Sequence, residues 1–119
     1  MEGKSKELLK IISKTLKILG ISPSKEGYYY LRDSIYLYIT NPKYHFKITK
    51  ELYPYLSKKY QKTESAIEKS IRTTIETGWN NCDLDYSNEL FANTIRYDKG
   101  KPTNNEFIAT VSDYIDLDL

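Results

Sequence analysis

Apolar residues along this chain recur mostly at helical spacing, and the pattern predicts six helices with little strand. Leu8, Leu9, Ile12, Leu16 and Leu19 mark the first, over about residues 5–19. Gly20 is its stop signal, and Pro23 lies just beyond. Tyr28, Leu31, Ile35, Tyr38 and Ile39 mark the second, over about residues 25–40. Asn41-Pro42 ends it, because the residue before a proline resists the α conformation. The third spans about residues 49–60, with Leu52, Leu56 and Tyr60 on one side. Pro54 lies in its first turn and a half, so it marks either a late start or a kink. The fourth runs over about residues 64–79, with Thr63 placed to cap it and Glu64 beside its positive end. A shorter fifth helix is expected over residues 87–93 and a loop over 97–102. A sixth helix, capped by Thr103 or Asn104, carries Phe107, Ile108, Val111 and Ile115. The expected fold is an all-α, compact bundle of about six helices, in one domain covering residues 1–119.

The fourth helix has two distinct sides. At about 100° per residue, Ile67, Ile71 and Ile75 fall within roughly 80° of one another. Ser65, Glu68, Lys69, Arg72 and Glu76 fall within roughly 100° on the opposite side. The turn over residues 61–63 is short enough for the third helix to brace the fourth. These are the needs of a helix-turn-helix: an apolar back, a polar front and a tight connection. An α-helix fits the DNA major groove, where each base pair shows its own donor and acceptor pattern. Lys69 can donate to guanine O6 or N7, and Glu68 can accept from cytosine N4. Arg72, a turn further on, suits a phosphate, as do Lys62 and the backbone N–H groups at the helix start. The same pattern also describes a solvated helix face with i, i+4 charge pairs, of which Glu68–Arg72 is one in the favoured order.

Charge distribution sharpens this picture. Formal net charge is only +2. Residues 43–72, however, hold Lys43, Lys47, Lys50, Lys58, Lys59, Lys62, Lys69 and Arg72 against Glu51, Glu64 and Glu68. Residues 73–92 hold Glu76, Asp83, Asp85 and Glu89 and no basic side chain. Such asymmetry steers a polyanion to one face. A lysine-rich solvated surface has the same composition. The twelve tyrosines, with three in a row at 28–30, read as core and rim packing rather than a stacking platform for single strands.

Enzymatic chemistry finds little support. His45 is the only histidine and Cys82 the only cysteine, so a His/Cys zinc site is not expected and no internal disulfide is available. Asp83 and Asp85 alone do not make a calcium loop. Gly27, Gly78 and Gly100 are isolated and read as packing or turn residues, not as a phosphate-binding loop. No cofactor, metal or catalytic residue is expected. No apolar run approaches the roughly 20 residues that span a bilayer. With no signal peptide in view, the expected compartment is the cytoplasm.

Four blocks carry a family resemblance: GYYYLRDSI (27–35), ITKELYPYLSKKY (48–60), IEKSIRTTIETGW (67–79) and KPTNNEFIA (101–109). In order and spacing they resemble the C-terminal DNA-binding effector domain of the master sporulation response regulator of endospore-forming Firmicutes. The resemblance covers about residues 19–117. It implies a six-helix bundle with a central helix-turn-helix and a sequence-specific regulator of transcription that binds double-stranded DNA. It also implies self-association on tandem sites. Base reading would fall to Ala66, Glu68 and Lys69, with phosphate contacts at Thr63, Ser65, Arg72 and Thr73. The segment 84–95 would contact the RNA polymerase sigma subunit, through Leu84, Asp85, Glu89, Leu90, Phe91 and Ile95.

This chain departs from the family pattern at three of those positions. Ala66 and Lys69 stand where arginine is usual, and Thr73 where histidine is usual. Alanine cannot donate to guanine, and lysine replaces a planar fork with a point charge. The family's own DNA box therefore does not carry over. The family protein also has an N-terminal receiver domain, for which residues 1–20 offer no counterpart. An excised domain and a stand-alone effector both fit. A second functional class fits as well: an interaction module that binds sigma factor or a full-length regulator through its acidic segment without reading DNA.

Overall fold

The computed structural model describes residues 2–81, 84–91 and 100–118. Helix α1 spans Glu2–Ile18 and α2 spans Glu26–Thr40. A 3-10 turn at Pro42–Tyr44 and a π-helical turn at Ile48–Leu52 lead into α3, Tyr53–Tyr60. Then come α4, Glu64–Asn81, α5, Leu84–Leu90, and α6, Asn104–Asp118. There is no strand among the described residues, and no helix there is long and apolar enough to cross a membrane. The all-α bundle expected from the sequence is the observed architecture.

The helix stops work as the sequence implies. Gly20 takes φ +82°, which glycine adopts without steric cost. Asn41 is extended, and its side chain accepts from the Lys43 N–H at 3.2 Å. Helix α5 begins three residues before the expected start. Its apolar signal comes from Leu90 and Phe91, near its C-terminal end, so the hydrophobic pattern marked where the helix packs rather than where it begins.

Pro54 sets the entry to α3. A proline has no N–H, and its ring clashes with the carbonyl four residues back in a continuous α-helix. Here the chain widens into the π turn, with Tyr53 N–H donating to the Ile48 carbonyl, and α3 starts with Pro54 in its first turn. Of the two alternatives, a late start and a kink, the structure has the late start.

Helix α2 is the central strut and packs against α1, α4 and α6. Leu31 and Ile35 on α2, Ile12 and Leu16 on α1, Ile67 and Ile71 on α4, and Ile108 and Val111 on α6 are all fully buried in one core. At Gly27 helix α2 approaches α4 too closely for a side chain. A Cβ placed there would lie 2.0 Å from Thr74 Oγ1 and 2.8 Å from the Ser70 carbonyl oxygen. That close approach fixes α4 to the bundle by its inner face and leaves the outer face outside the core.

Candidate nucleic-acid interface

The connection between α3 and α4 is three residues long. Gln61 adopts the left-handed conformation, φ 54° and ψ 48°, and turns the chain out of α3. The Lys62 N–H donates to the Ser57 carbonyl at 3.2 Å, and Ser57 Oγ donates back to the Lys62 carbonyl. The reciprocal pair closes the end of α3 and sets the turn. Thr63 then caps α4: its Oγ1 accepts from the Ala66 N–H at 3.0 Å. One of the four unpaired N–H groups at the helix start is thereby satisfied.

Helix α3 is itself held by α2 through a buried carboxylate. Asp33 Oδ2 accepts from Lys59 Nζ at 2.8 Å and from the Tyr60 hydroxyl, and Asp33 Oδ1 lies 3.3 Å from Arg32 Nη2. Burial raises the Tyr60 pKa first, and the hydrogen bond to Asp33 raises it further. Lys59 is therefore the counter-ion of a core carboxylate. No sequence pattern pointed to Asp33, because its partners Lys59 and Tyr60 lie on another helix.

On α4, Ile67, Ile71, Thr74, Ile75 and Gly78 face the core. Lys62, Thr63, Ser65, Ala66, Lys69, Arg72 and Thr73 are all exposed. Glu68 is half-buried and accepts from Arg72 Nη1 at 3.0 Å, the i, i+4 pair visible in the sequence. The base-reading and phosphate-contact candidates thus share one continuous surface at the N-terminal half of α4. Glu76 lies on the same face further along and pairs with Lys101 at 2.5 Å.

A groove of about 520 Å³ flanks this face, between α4 and the start of α6, with Arg72, Lys101, Thr103 and Asn105 on its walls. Thr103 and Glu106 form a reciprocal cap at the start of α6. The Thr103 N–H donates to Glu106 Oε1 at 2.9 Å, and the Glu106 N–H donates to Thr103 Oγ1 at 3.1 Å. Of the two capping residues considered from the sequence, Thr103 serves. Asn104 instead turns inward, and its amide donates to the Tyr53 hydroxyl and to the Glu68 carbonyl, both at 3.1 Å. Lys101 and Asn104 were missed as site residues. The signal available was the T-x-x-E capping box over 103–106, which places a helix start but not its neighbour.

The acidic segment divides. On α5, Asp85 and Glu89 are exposed and Leu90 is buried, and Phe91, just past its end, is buried with its ring against those of Trp79 and Phe107. The Leu84 side chain and Ile95 lie outside the described residues, as do Cys82, Asp83 and the loop residues 97–99. His45 is engaged with α2: Nε2 lies 2.8 Å from the Tyr38 carbonyl oxygen, and its ring stacks on that of Tyr38 at 4.4 Å.

These residues form a short-turned helix pair with a charged and polar outer face, held by its inner face to the rest of the helical bundle. The family model described as "Sporulation initiation factor Spo0A C terminal" matches residues 12–115, which include every element from the body of α1 through most of α6. The chain belongs to this family of DNA-binding domains of a sporulation transcription factor.

Proposed function

We propose that this chain reads a short double-stranded DNA sequence by laying α4 in the major groove, and that it regulates transcription in sporulation or a related developmental programme. The observation that carries the reading is the division of α4. Its isoleucines are sealed in the core, and the residues from Lys62 to Thr73 that point outward are exposed. Lys69 donates to a guanine edge, and Ala66 offers its methyl to a thymine methyl. Arg72, Lys62 and the Thr63 and Ser65 hydroxyls hold phosphates on either side. Thr63 Oγ1 already accepts from Ala66, which leaves its O–H to donate outward. Glu68 Oε1 accepts from Arg72, which leaves Oε2 to accept from cytosine N4.

The chain acts by binding rather than catalysis, in the cytoplasm. Among the described residues, Asp85 and Glu89 are the exposed members of the sigma-contact set, and they offer negative charge to a basic partner surface. Leu90 and Phe91 support that surface from within the core. Self-association on tandem sites is part of the same proposal. The rival class, a module that binds sigma factor without reading DNA, draws on the same two acidic residues.

Selection from a random duplex pool on the immobilised chain at moderate salt tests the proposal. Enrichment of a defined short box is expected. Failure to retain any duplex, with sigma factor still bound, would transfer the function to the rival class.

A further inference from the structure

Glu76 is out of place on a DNA-facing helix. Its angular position is in the middle of the outward face of α4, about 10 Å along the axis from Lys69. In a helix-turn-helix the N-terminal residues of the second helix touch base edges, so a residue two turns further along runs out toward the phosphates. A free carboxylate there repels the duplex. Glu76 is not free: Lys101, from the segment entering α6, places its Nζ 2.5 Å from Glu76 Oε2. The lysine's hydrogen bond and charge hold the Glu76 carboxyl below the usual carboxylate range. Both side chains remain in contact with solvent, Lys101 at 35% and Glu76 at 57% of full exposure, so the pair is open to exchange with an incoming anion. Lys101 also lines the groove that Arg72 borders, so a cation from the segment entering α6 and one from α4 share that groove.

We infer that Lys101 is a further DNA-backbone contact, supplied from outside the helix-turn-helix, and that Glu76 is its built-in competitor. Lys101 trades Glu76 for a phosphate when the duplex docks. Glu76 thereby sets an upper limit on affinity, and the limit is independent of base sequence. This rests on the proposed reading of α4 as the groove-bound helix, and it adds a regulatory element to that reading: any change that removes the Glu76 charge strengthens binding to all duplexes alike.

The test uses the full chain and a mixed-sequence 20-base-pair duplex, because phosphate contacts do not depend on sequence. Affinity is measured across a salt series for the parent chain, Glu76→Gln, Lys101→Ala and the double variant. Thermal melts confirm that each is folded. Glu76→Gln is expected to bind more tightly than the parent at every salt concentration with an unchanged slope of log K against log salt, because Lys101 reaches the phosphate in both complexes and only the competing carboxylate is lost. Lys101→Ala, in the parent or added to Glu76→Gln, is expected to flatten the plot by about 0.9, the value of one lost phosphate contact. Equal slopes for Glu76→Gln and the double variant would overturn the inference and leave the pair as a strap between α4 and α6, with DNA binding by the parent intact. A parent chain that binds no duplex at all would instead overturn the proposed function and this inference with it.

Discussion

Asn104, the first residue of α6, donates its side-chain amide to the main-chain carbonyl of Glu68 in the second turn of α4. The same amide reaches the Tyr53 hydroxyl at the start of α3. One buried side chain from near the C-terminal end of the chain thus touches both helices of the helix-turn-helix. Asn104→Ala removes both hydrogen bonds and leaves the Tyr53 hydroxyl without its partner amide. A loss of about 1–3 kcal/mol is expected, the usual cost of an unsatisfied buried polar group. Urea denaturation checks it, as a lower midpoint with an unchanged slope.

Lys69 and Lys62 are assigned different roles, and paired substitutions separate them. Lys69→Ala is expected to weaken binding to the selected box by roughly 1–3 kcal/mol while leaving random duplex little changed. Lys62→Ala is expected to weaken both duplexes about equally and to lower the salt slope by about 0.9. Competition gel shifts at two salt concentrations measure both quantities. Identical effects from the two substitutions would contradict the assignment.

Thr63 is the cap of α4, and its hydroxyl is also assigned a phosphate. Thr63→Ala is expected to cost about 1 kcal/mol of stability. Thr63→Ser keeps the oxygen and is expected to restore both stability and affinity. Thermal denaturation and the gel shift, run on the same samples, report the two effects.

Gly27→Ala tests the tight approach of α2 to α4. The added methyl would meet the Thr74 side chain and the Ser70 main chain. A loss of about 1–3 kcal/mol is expected from overpacking. Adding Thr74→Ala is expected to recover part of it but not all, because the Ser70 carbonyl is backbone and cannot swing away. Full recovery in the double variant would mean that the two helix backbones are free to separate.

Tyr60 gives the fold an alkaline limit. Its neutral form is favoured in the folded state, by burial and by the hydrogen bond it donates to Asp33. The folded pKa is therefore above the unfolded value of about 10, and the stabilisation is complete below that pH. Above it the unfolded chain loses the Tyr60 proton first, and stability falls as pH rises. Tyr60→Phe is expected to flatten the decline in denaturation midpoint between about pH 9.5 and 11. The remaining slope comes from Tyr30, Tyr38, Tyr53 and Tyr86, whose pKa values burial also raises. An unchanged decline in the Tyr60→Phe variant would place the alkaline limit on those residues.

The elements best read in advance were those whose signals are local. Gly20, Asn41-Pro42 and Thr63 each act on the residues beside them, and each stands at the boundary it implied. The π turn before Pro54 was not legible, because a proline near a helix start is equally compatible with a kink, and the widened turn resolves the clash in a way that no periodicity records. The start of α5 lies ahead of the one the pattern predicts, because its strongest apolar pair, Leu90 and Phe91, is at its far end. The outward residues of α4 were legible as a stripe, yet the pairing of Glu76 with Lys101 was not, since it joins positions 25 apart across a connecting segment.

Residue order alone was enough to specify the helices, their main breaks and the two-sidedness of α4. Those properties depend on neighbours within one or two turns, where a 3.6-residue period and a few capping residues dominate the energy. Which distant polar groups would meet was settled by packing. Asp33 finds Lys59 and Tyr60, Asn104 finds Tyr53 and Glu68, and Lys101 finds Glu76, because the bundle brings separate helices within hydrogen-bond reach. A side chain's periodicity tells which face it occupies. Its partner depends on the angle and depth at which that face meets another, and these are properties of the assembled core.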